Sequence, residues 1–211
     1  MTEPVKILLV DDHAIVREGY RRLLEGEPGI RIVGEASDAA QACRSALELS
    51  PDVVVMDIAL PGTSGIEATR HMLKDQPRLR ILMFSMYDDA IYASRALEAG
   101  ALGYLSKASA PEVLVRAIHA VARGESYVSP DVAANMARSA ARSGISEIDT
   151  LTPREFEVLR LLAQGETVRT IGEKLGVSEK TVANQQSVIR AKLGAKNSAQ
   201  LARLAARIGL S

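Results

Sequence analysis

DVVVMDIALPG, residues 52–62, sets four apolar residues, Val53 to Met56, directly before a carboxylate, Asp57, and a loop carrying Pro61 and Gly62. A continuous Val-rich run is the pattern of a strand buried on both faces, as in parallel sheets. Such a strand ending on an ionisable group poses the question of what the group does.

Working outward, four more short apolar runs punctuate the first half: VKILLV (5–10), IRIVGEA (30–36), RILMFS (80–85) and GYLS (103–106). Segments of helical spacing lie between them. In APEVLVRAIHAVARG the residues Val113, Leu114, Ala117, Ile118 and Val121 recur at intervals of three and four, and Gly124 closes the segment. SAPE (109–112) reads as a capping box from Ser109 to Glu112. Five alternations of strand and helix predict an open, doubly wound parallel sheet of five strands, flavodoxin-like, in the order 2-1-3-4-5.

In such sheets ligands sit beyond the carboxyl ends of the strands, where strand order reverses. The first strand ends in Asp11 and Asp12 and the third in Asp57, so three carboxylates converge on one pocket. Like charges so grouped call for a cation, and an all-oxygen set suits Mg²⁺ better than a transition metal. Ser85 ends the fourth strand and Lys107 follows the fifth, supplying donors for an anion. An aspartate after a strand is by itself usually a turn residue. Five such groups at four strand ends instead describe a phosphoryl-handling pocket with Asp57 as nucleophile.

These residues resemble the receiver domain of bacterial response regulators over 1–124: VDDH for the acidic pair, DIALPGTSG for the phosphoacceptor loop, FS for the switch hydroxyl, and GYLSK for the switch aromatic and lysine. The resemblance implies phosphorylation of Asp57 by a partner histidine kinase. It assigns Mg²⁺ to Asp12, Asp57 and the Ala59 carbonyl, with Asp11 acting through water. It gives the phosphoryl oxygens to Ser85 and Lys107, and makes Tyr104 a reporter that moves inward. Ala108 departs from the proline that the family often places after the lysine.

Charge divides the chain. Residues 1–140 carry 15 basic and 19 acidic side chains, whereas 141–211 carry 11 and 7, so the net balances are −4 and +4. The basic end is the candidate for nucleic acid. Residues 125–148 read as a linker with one short helix, flexible at about 138–148, and 149–211 as a four-helix unit. There LTPRE opens with a capping box, Thr152 to Glu155, and Pro153 takes the first helical position. Phe156, Leu159, Leu162 and Ala163 form its inner stripe. IGEKLGVSEKTVANQQSVIRAKLG places two helices around a turn at Gly176, and Ser198 is the expected cap of a last helix.

Ile171, Leu175, Val177, Val182, Ile189 and Leu193 are the expected core, leaving Glu179, Lys180, Thr181, Ala183, Asn184, Ser187 and Arg190 outward. This half resembles the LuxR-type helix-turn-helix of NarL/FixJ response regulators, so the whole chain matches that architecture. The resemblance makes 179–193 a recognition helix on double-stranded DNA. Lys180, Thr181, Asn184, Gln185, Ser187 and Arg190 are its contacts, and Lys192 holds a phosphate. It also implies homodimers on paired half-sites. Members often carry Lys rather than Ala183 and His rather than Gln185.

Other readings fare worse. An aspartyl phosphatase wants a second Asp two residues on, where Ala59 stands. DDHAIVREG lacks the G-x-G-x-x-G of a dinucleotide site. A protein-docking role for the helical unit is the remaining alternative. One cysteine, Cys43, precludes an internal disulfide, and a 3% aromatic content with no Trp argues against base-stacking platforms. No signal pattern opens the chain, and no apolar run nears the roughly 20 residues of a membrane span, so the expected location is the cytoplasm. His13, His71 and His119 show no metal spacing, and His13 is expected at the surface.

Overall fold

The computed structural model describes residues 3–87, 90–140 and 150–207, which divide between two compact units, Met1–Arg142 and Ser143–Ser211. In the first, strands β1 (Val5–Val10), β2 (Ile30–Ala36), β3 (Val53–Met56), β4 (Ile81–Ser85), β5 (Gly103–Ser106) and β6 (Tyr127–Val128) form one parallel sheet. Its order is β2-β1-β3-β4-β5-β6. Helices α1 (Ala14–Glu25), α2 (Ala39–Leu49), α3 (Gly65–Asp75), α4 (Ala90–Glu98), α5 (Pro111–Ala122) and α6 (Pro130–Ala140) connect and cover it.

The alternation of side chains along each strand sorts the core into two layers. Ile7, Leu9, Val53, Val55, Leu82, Phe84 and Leu105 pack on one face with Leu24 of α1 and Leu114, Ile118 and Val121 of α5. The intervening residues, among them Leu8, Val10, Val54, Met56, Ile81 and Met83, are equally buried and face the side where α2, α3 and α4 pack edge to edge. Both faces of β3 are therefore dry, which is why its sequence is apolar without alternation.

The five expected strands take the expected order, and a sixth follows them. Tyr127 and Val128 pair with Gly103 and Tyr104, and α6 packs against α4 and β5. Residues 127–140 of the expected linker are thus part of the first unit. A strand of two residues offers no periodicity to read. Residues 141–148 of the expected flexible joint lie outside the described residues.

One cap also differs. Ala110, not Ser109, is the N-cap of α5, and no side chain caps it. Pro111 is the reason: it lacks an N–H and its φ suits the first helical position, so the residue before it becomes the cap.

In the second unit α7 (Pro153–Ala163), α8 (Val168–Leu175), α9 (Glu179–Lys192) and α10 (Ser198–Arg207) pack with α7 against each of the other three. Phe156, Val158, Leu159, Leu161, Ile171, Leu175, Val182, Ile189, Leu193, Leu201 and Ala205 are its buried apolar residues, while Leu162, Ala163 and Val177 are half-buried. The Thr152–Glu155 capping box is formed on both sides. The last helix is capped by Asn197, whose Oδ1 accepts from the Gln200 N–H at 2.9 Å, and Ser198 is its first helical residue rather than its cap.

Candidate functional site

Strand pairing alone brings the acidic groups together. Val10 is opposite Met56 in the β1–β3 register, so the next residue of each chain, Asp11 and Asp57, leaves the sheet at the same edge. The Asp57 N–H donates to the Val10 carbonyl at 2.9 Å, and the Asp11 N–H to the Ala36 carbonyl at 3.1 Å. At the far side Ser85 is opposite Ser106, and the Lys107 N–H donates to the Ser85 carbonyl at 2.7 Å.

The Lys107 ammonium then closes the pocket. Its Nζ lies 2.6 Å from Asp11 Oδ2 and 2.7 Å from Asp57 Oδ2, with a side chain only 4% exposed. The other Asp57 oxygen accepts from the Ile58 N–H at 2.7 Å. Burial pushes the Asp57 carboxyl above its usual pKa, and the Lys107 charge opposes that shift without cancelling it. For Lys107, burial pulls the ammonium down, but Asp57 and Asp11 outweigh it and hold the pKa above the ordinary lysine value. A buried cation shared by two carboxylates holds the Asp57 carboxylate in place and offers a donor to any anion attached to it.

Asp12 is exposed at the rim. It joins Asp11, Asp57 and His13 in a cluster whose ligand-type atoms all lie within 4.8 Å of one another. Its oxygens fit a hard cation such as Mg²⁺. Ala59 follows in the loop. The loop's own hydrogen bonds run to the Ile58 carbonyl, from Leu60 and Gly65, and to Pro61 from Thr63, and do not engage the Ala59 carbonyl.

His13 has a side chain 65% exposed, as a surface histidine should, yet its Nδ1 lies 2.7 Å from Asp12 Oδ1. Its backbone N–H also donates to Asp11 Oδ1 at 2.8 Å. Two further supports escaped sequence reading. Arg17 of α1 joins Glu35 of β2 to the Asp11 carbonyl. Gly65 starts α3 so close to β3 that a Cβ there would lie 1.8 Å from the Asp57 carbonyl oxygen. The signal for Gly65 was present as the second glycine of PGTSG, but close approach is a tertiary property.

Ser85 is fully buried and its Oγ accepts from the Tyr87 N–H at 3.3 Å. Tyr104, expected to move inward, is fully buried here, and its hydroxyl donates to the Tyr87 carbonyl at 2.6 Å. Tyr87 in turn stacks on Tyr92 of α4, with ring centroids 4.6 Å apart. Ala108 donates its N–H to Ser106 Oγ at 3.2 Å, a bond that the family's proline would not make.

In the second unit α8, the turn at Gly176 and α9 form the expected pair of helices. Lys180, Thr181, Ala183, Asn184 and Ser187 of α9 are exposed. Gln185 and Arg190 are half-buried. Lys192, expected on a phosphate, lies 2.7 Å from Glu155 and donates to the Thr150 carbonyl at 3.2 Å. Burial raises the Glu155 carboxyl, but its bonds to Lys192 and Thr152 hold it below its usual pKa overall. Arg154 pairs with buried Glu157 at 2.7 Å and reaches the Leu175 carbonyl at the end of α8. LTPRE thus clamps the ends of α8 and α9, a role that spacing alone did not disclose.

The family model described as the response regulator receiver domain matches residues 7–119. That of bacterial regulatory proteins of the luxR family matches 149–205. The chain is 36% identical over 208 residues to response regulator GacA of Pseudomonas syringae pv. syringae, covering 98% of this chain and 97% of that protein. It is 38% identical over 211 residues to response regulator UvrY of Escherichia coli strain K12, covering 98% and 95%. Among solved structures it resembles RcsB of Salmonella enterica serovar Typhimurium bound to promoter P1flhDC with the phosphomimetic BeF3-. There the TM-score is 0.66 at 30% identity, covering 96% of this chain and 98% of that one. A LuxR-family two-component response regulator from Aurantimonas sp. matches at 50% identity and a TM-score of 0.64, covering 66% and 99%.

Proposed function

The chain belongs to the NarL/FixJ family of two-component response regulators, a receiver domain followed by a LuxR-type DNA-binding domain, and from that premise we propose that Asp57 accepts a phosphoryl group from a sensor histidine kinase and that the phosphorylated chain controls transcription through α9. The observation that carries this reading is the Lys107 bridge to Asp11 and Asp57 at three strand ends. In the transfer, an Asp57 carboxylate oxygen forms the new P–O bond as the P–N bond of the kinase phosphohistidine breaks, and the departing imidazole keeps the electron pair. Lys107 orients the attacking carboxylate and stays within reach of the phosphoryl oxygens. Ser85 supplies a hydroxyl from the adjoining strand end.

Asp12, Asp57 and the Ala59 carbonyl would hold Mg²⁺, with Asp11 acting through water. Bound there, the ion neutralises charge on the phosphoryl oxygens. Oligomer and location follow from the same reading: homodimers on promoter half-sites roughly one helical turn apart, in the cytoplasm. Among the described residues no helix is long and apolar enough to cross a membrane.

Phosphate biases a two-state receiver by about 1–3 kcal/mol, the usual scale of such coupling. Ser85, Tyr87, Tyr92 and Tyr104 link the pocket to α4. Asp57→Asn tests the nucleophile. With a labelled small-molecule phosphodonor, the wild-type chain should incorporate acid-stable, base-labile label and the variant none. Persistent labelling of the variant refutes the assignment.

A further inference from the structure

We propose that α9 reads A·T base pairs mainly through thymine methyl groups, with Val188 and Ala183 as the apolar contacts on either side of a single adenine-reading amide, Asn184. This rests on the DNA-binding reading above and adds what kind of sequence is read.

Val182 and Ile189 are buried and mark the inner face of the helix. At 100° per residue, Lys180, Asn184, Ser187 and Ala191 lie opposite them, with Ala183 on one flank and Val188 on the other. The polar side chains of α9 are largely spoken for. Ser187 Oγ donates to the Ala183 carbonyl at 3.1 Å and accepts from Arg190 at 3.1 Å. Thr181 Oγ1 shares a hydrogen bond with Ser178 Oγ at 2.9 Å. Gln186 donates to Ser198 at 3.3 Å, and Lys192 is held by Glu155. The Gln185 amide oxygen is sealed from solvent, facing the domain rather than a groove.

What stays open on the side away from the core is short: the Lys180 ammonium, the Asn184 amide, and the apolar surfaces of Ala183, Val188 and Ala191, while Glu179, also exposed, falls nearer the inner face at 100° per residue. Among the described residues Asn184 has no hydrogen-bond partner, and its amide matches adenine N6 and N7 in the major groove. Guanine is read by a bidentate Arg or Lys; Arg190 is half-buried and bound to Ser187, which leaves Lys180, in the first turn of α9, as the open cation, able to serve a phosphate or one G·C pair at the edge of the A·T tract. The Lys and His that the family often carries at 183 and 185 are absent as well.

Val188 is the decisive residue. It is 44% exposed, and among the described residues of this unit no other large apolar side chain is so open. A β-branched residue on an exposed helix face loses helix propensity relative to alanine and buries little in return. A breach of local preference without a packing gain marks a functional position. One turn after Asn184, its two methyls fit the one base feature in the groove that is apolar, the thymine C5 methyl.

The full-length chain with a beryllofluoride phosphomimetic and Mg²⁺ is used to select from randomised duplexes, and the bound pool is sequenced. Each half-site should carry adjacent A·T pairs. Replacing a contacted thymine by deoxyuridine removes only its methyl, and affinity at fixed salt should fall about fourfold per methyl. Val188→Ala should weaken binding to the thymine duplex and abolish most of the uracil penalty, whereas Gln186→Ala, at an amide held by Ser198, should select the same sequence. Half-sites built on G·C pairs, or a uracil duplex bound as tightly as the thymine one, overturn this inference while leaving DNA binding intact. A chain that selects no duplex at any salt overturns the DNA-binding reading itself.

Discussion

Gly65→Ala isolates how the pocket is held. The added Cβ would sit 1.8 Å from the Asp57 carbonyl oxygen, 2.8 Å from its carbonyl carbon and 3.1 Å from the Ile58 Cα. All three obstacles are backbone, so no rotamer change relieves them. Since 3.0 Å is about the closest such carbons come, α3 or the end of β3 must retreat by about 1.2 Å, and a displacement of that size costs roughly 10²-fold where reacting groups must be aligned. The accompanying overpacking should cost about 1–3 kcal/mol of stability. Gly62→Ala is the matched control, with φ +77° but open space around a Cβ. It strains the backbone by about 1–2 kcal/mol without pushing on Asp57. Rates of labelling by a small-molecule phosphodonor and thermal denaturation should separate the two: both variants lose stability, and Gly65→Ala alone loses rate. A Gly65→Ala chain that is phosphorylated within threefold of the wild-type rate would refute the reasoning.

Three further outcomes are expected. Lys107→Met leaves Asp11 and Asp57 buried without their counter-charge and should lower stability by about 3 kcal/mol in metal-free buffer, with saturating Mg²⁺ recovering much of the loss; equal melting of variant and wild type under chelation would count against the bridge. Glu155→Gln should cost about 1 kcal/mol near neutral pH by loosening a capping box and its lysine. Because the Glu155 pKa is depressed, its contribution is present above the ordinary glutamate value of 4.5 and is lost as pH falls through the lower folded value, so the variant should show a flatter stability profile in that acid range. Ala183→Lys should steepen the slope of log K against log salt by about 0.9, one added phosphate contact, while giving up the thymine preference that the alanine methyl supplies; an unchanged slope places residue 183 away from the backbone.

The acidic pocket was legible because it follows from features that a sequence displays directly. Apolar runs mark where strands end, and the doubly wound order fixes which ends are neighbours. Asp11 and Lys107 are 96 positions apart, yet both were readable as residues at strand ends, and their 2.6 Å contact needed nothing further. What escaped was of another kind. Arg17 lies in the middle of α1, where an arginine is ordinarily a solvated helix residue, and only the placement of α1 beside β2 turns it toward Glu35 and the Asp11 carbonyl. β6 escaped because two residues cannot show a period, and its existence depends on β5 being there to pair with.

The helix caps show the same division at the scale of single residues. Thr152 and Ser109 both head a stretch of the form S/T-x-x-E with a proline inside it, yet only Thr152 caps its helix. The difference is where the proline stands. Pro153 directly follows Thr152 and takes the first helical position, leaving Thr152 as N-cap and Glu155 at the third position to complete the box. Pro111 stands two residues after Ser109, so the same preference for the first position passes the cap to Ala110 and puts Glu112 one residue out of register. Where two capping signals compete, the one that constrains the backbone outranks the one that offers a hydrogen bond, since fixing φ is unconditional and a side-chain bond to an exposed N–H is exchanged for one to water. In the second unit that ranking has a functional consequence. A register that keeps Glu155 at the third position is what lets it meet Lys192 37 residues away, and so the clamp that ties the end of α9 to α7 depends on proline at 153 as much as on the ion pair itself.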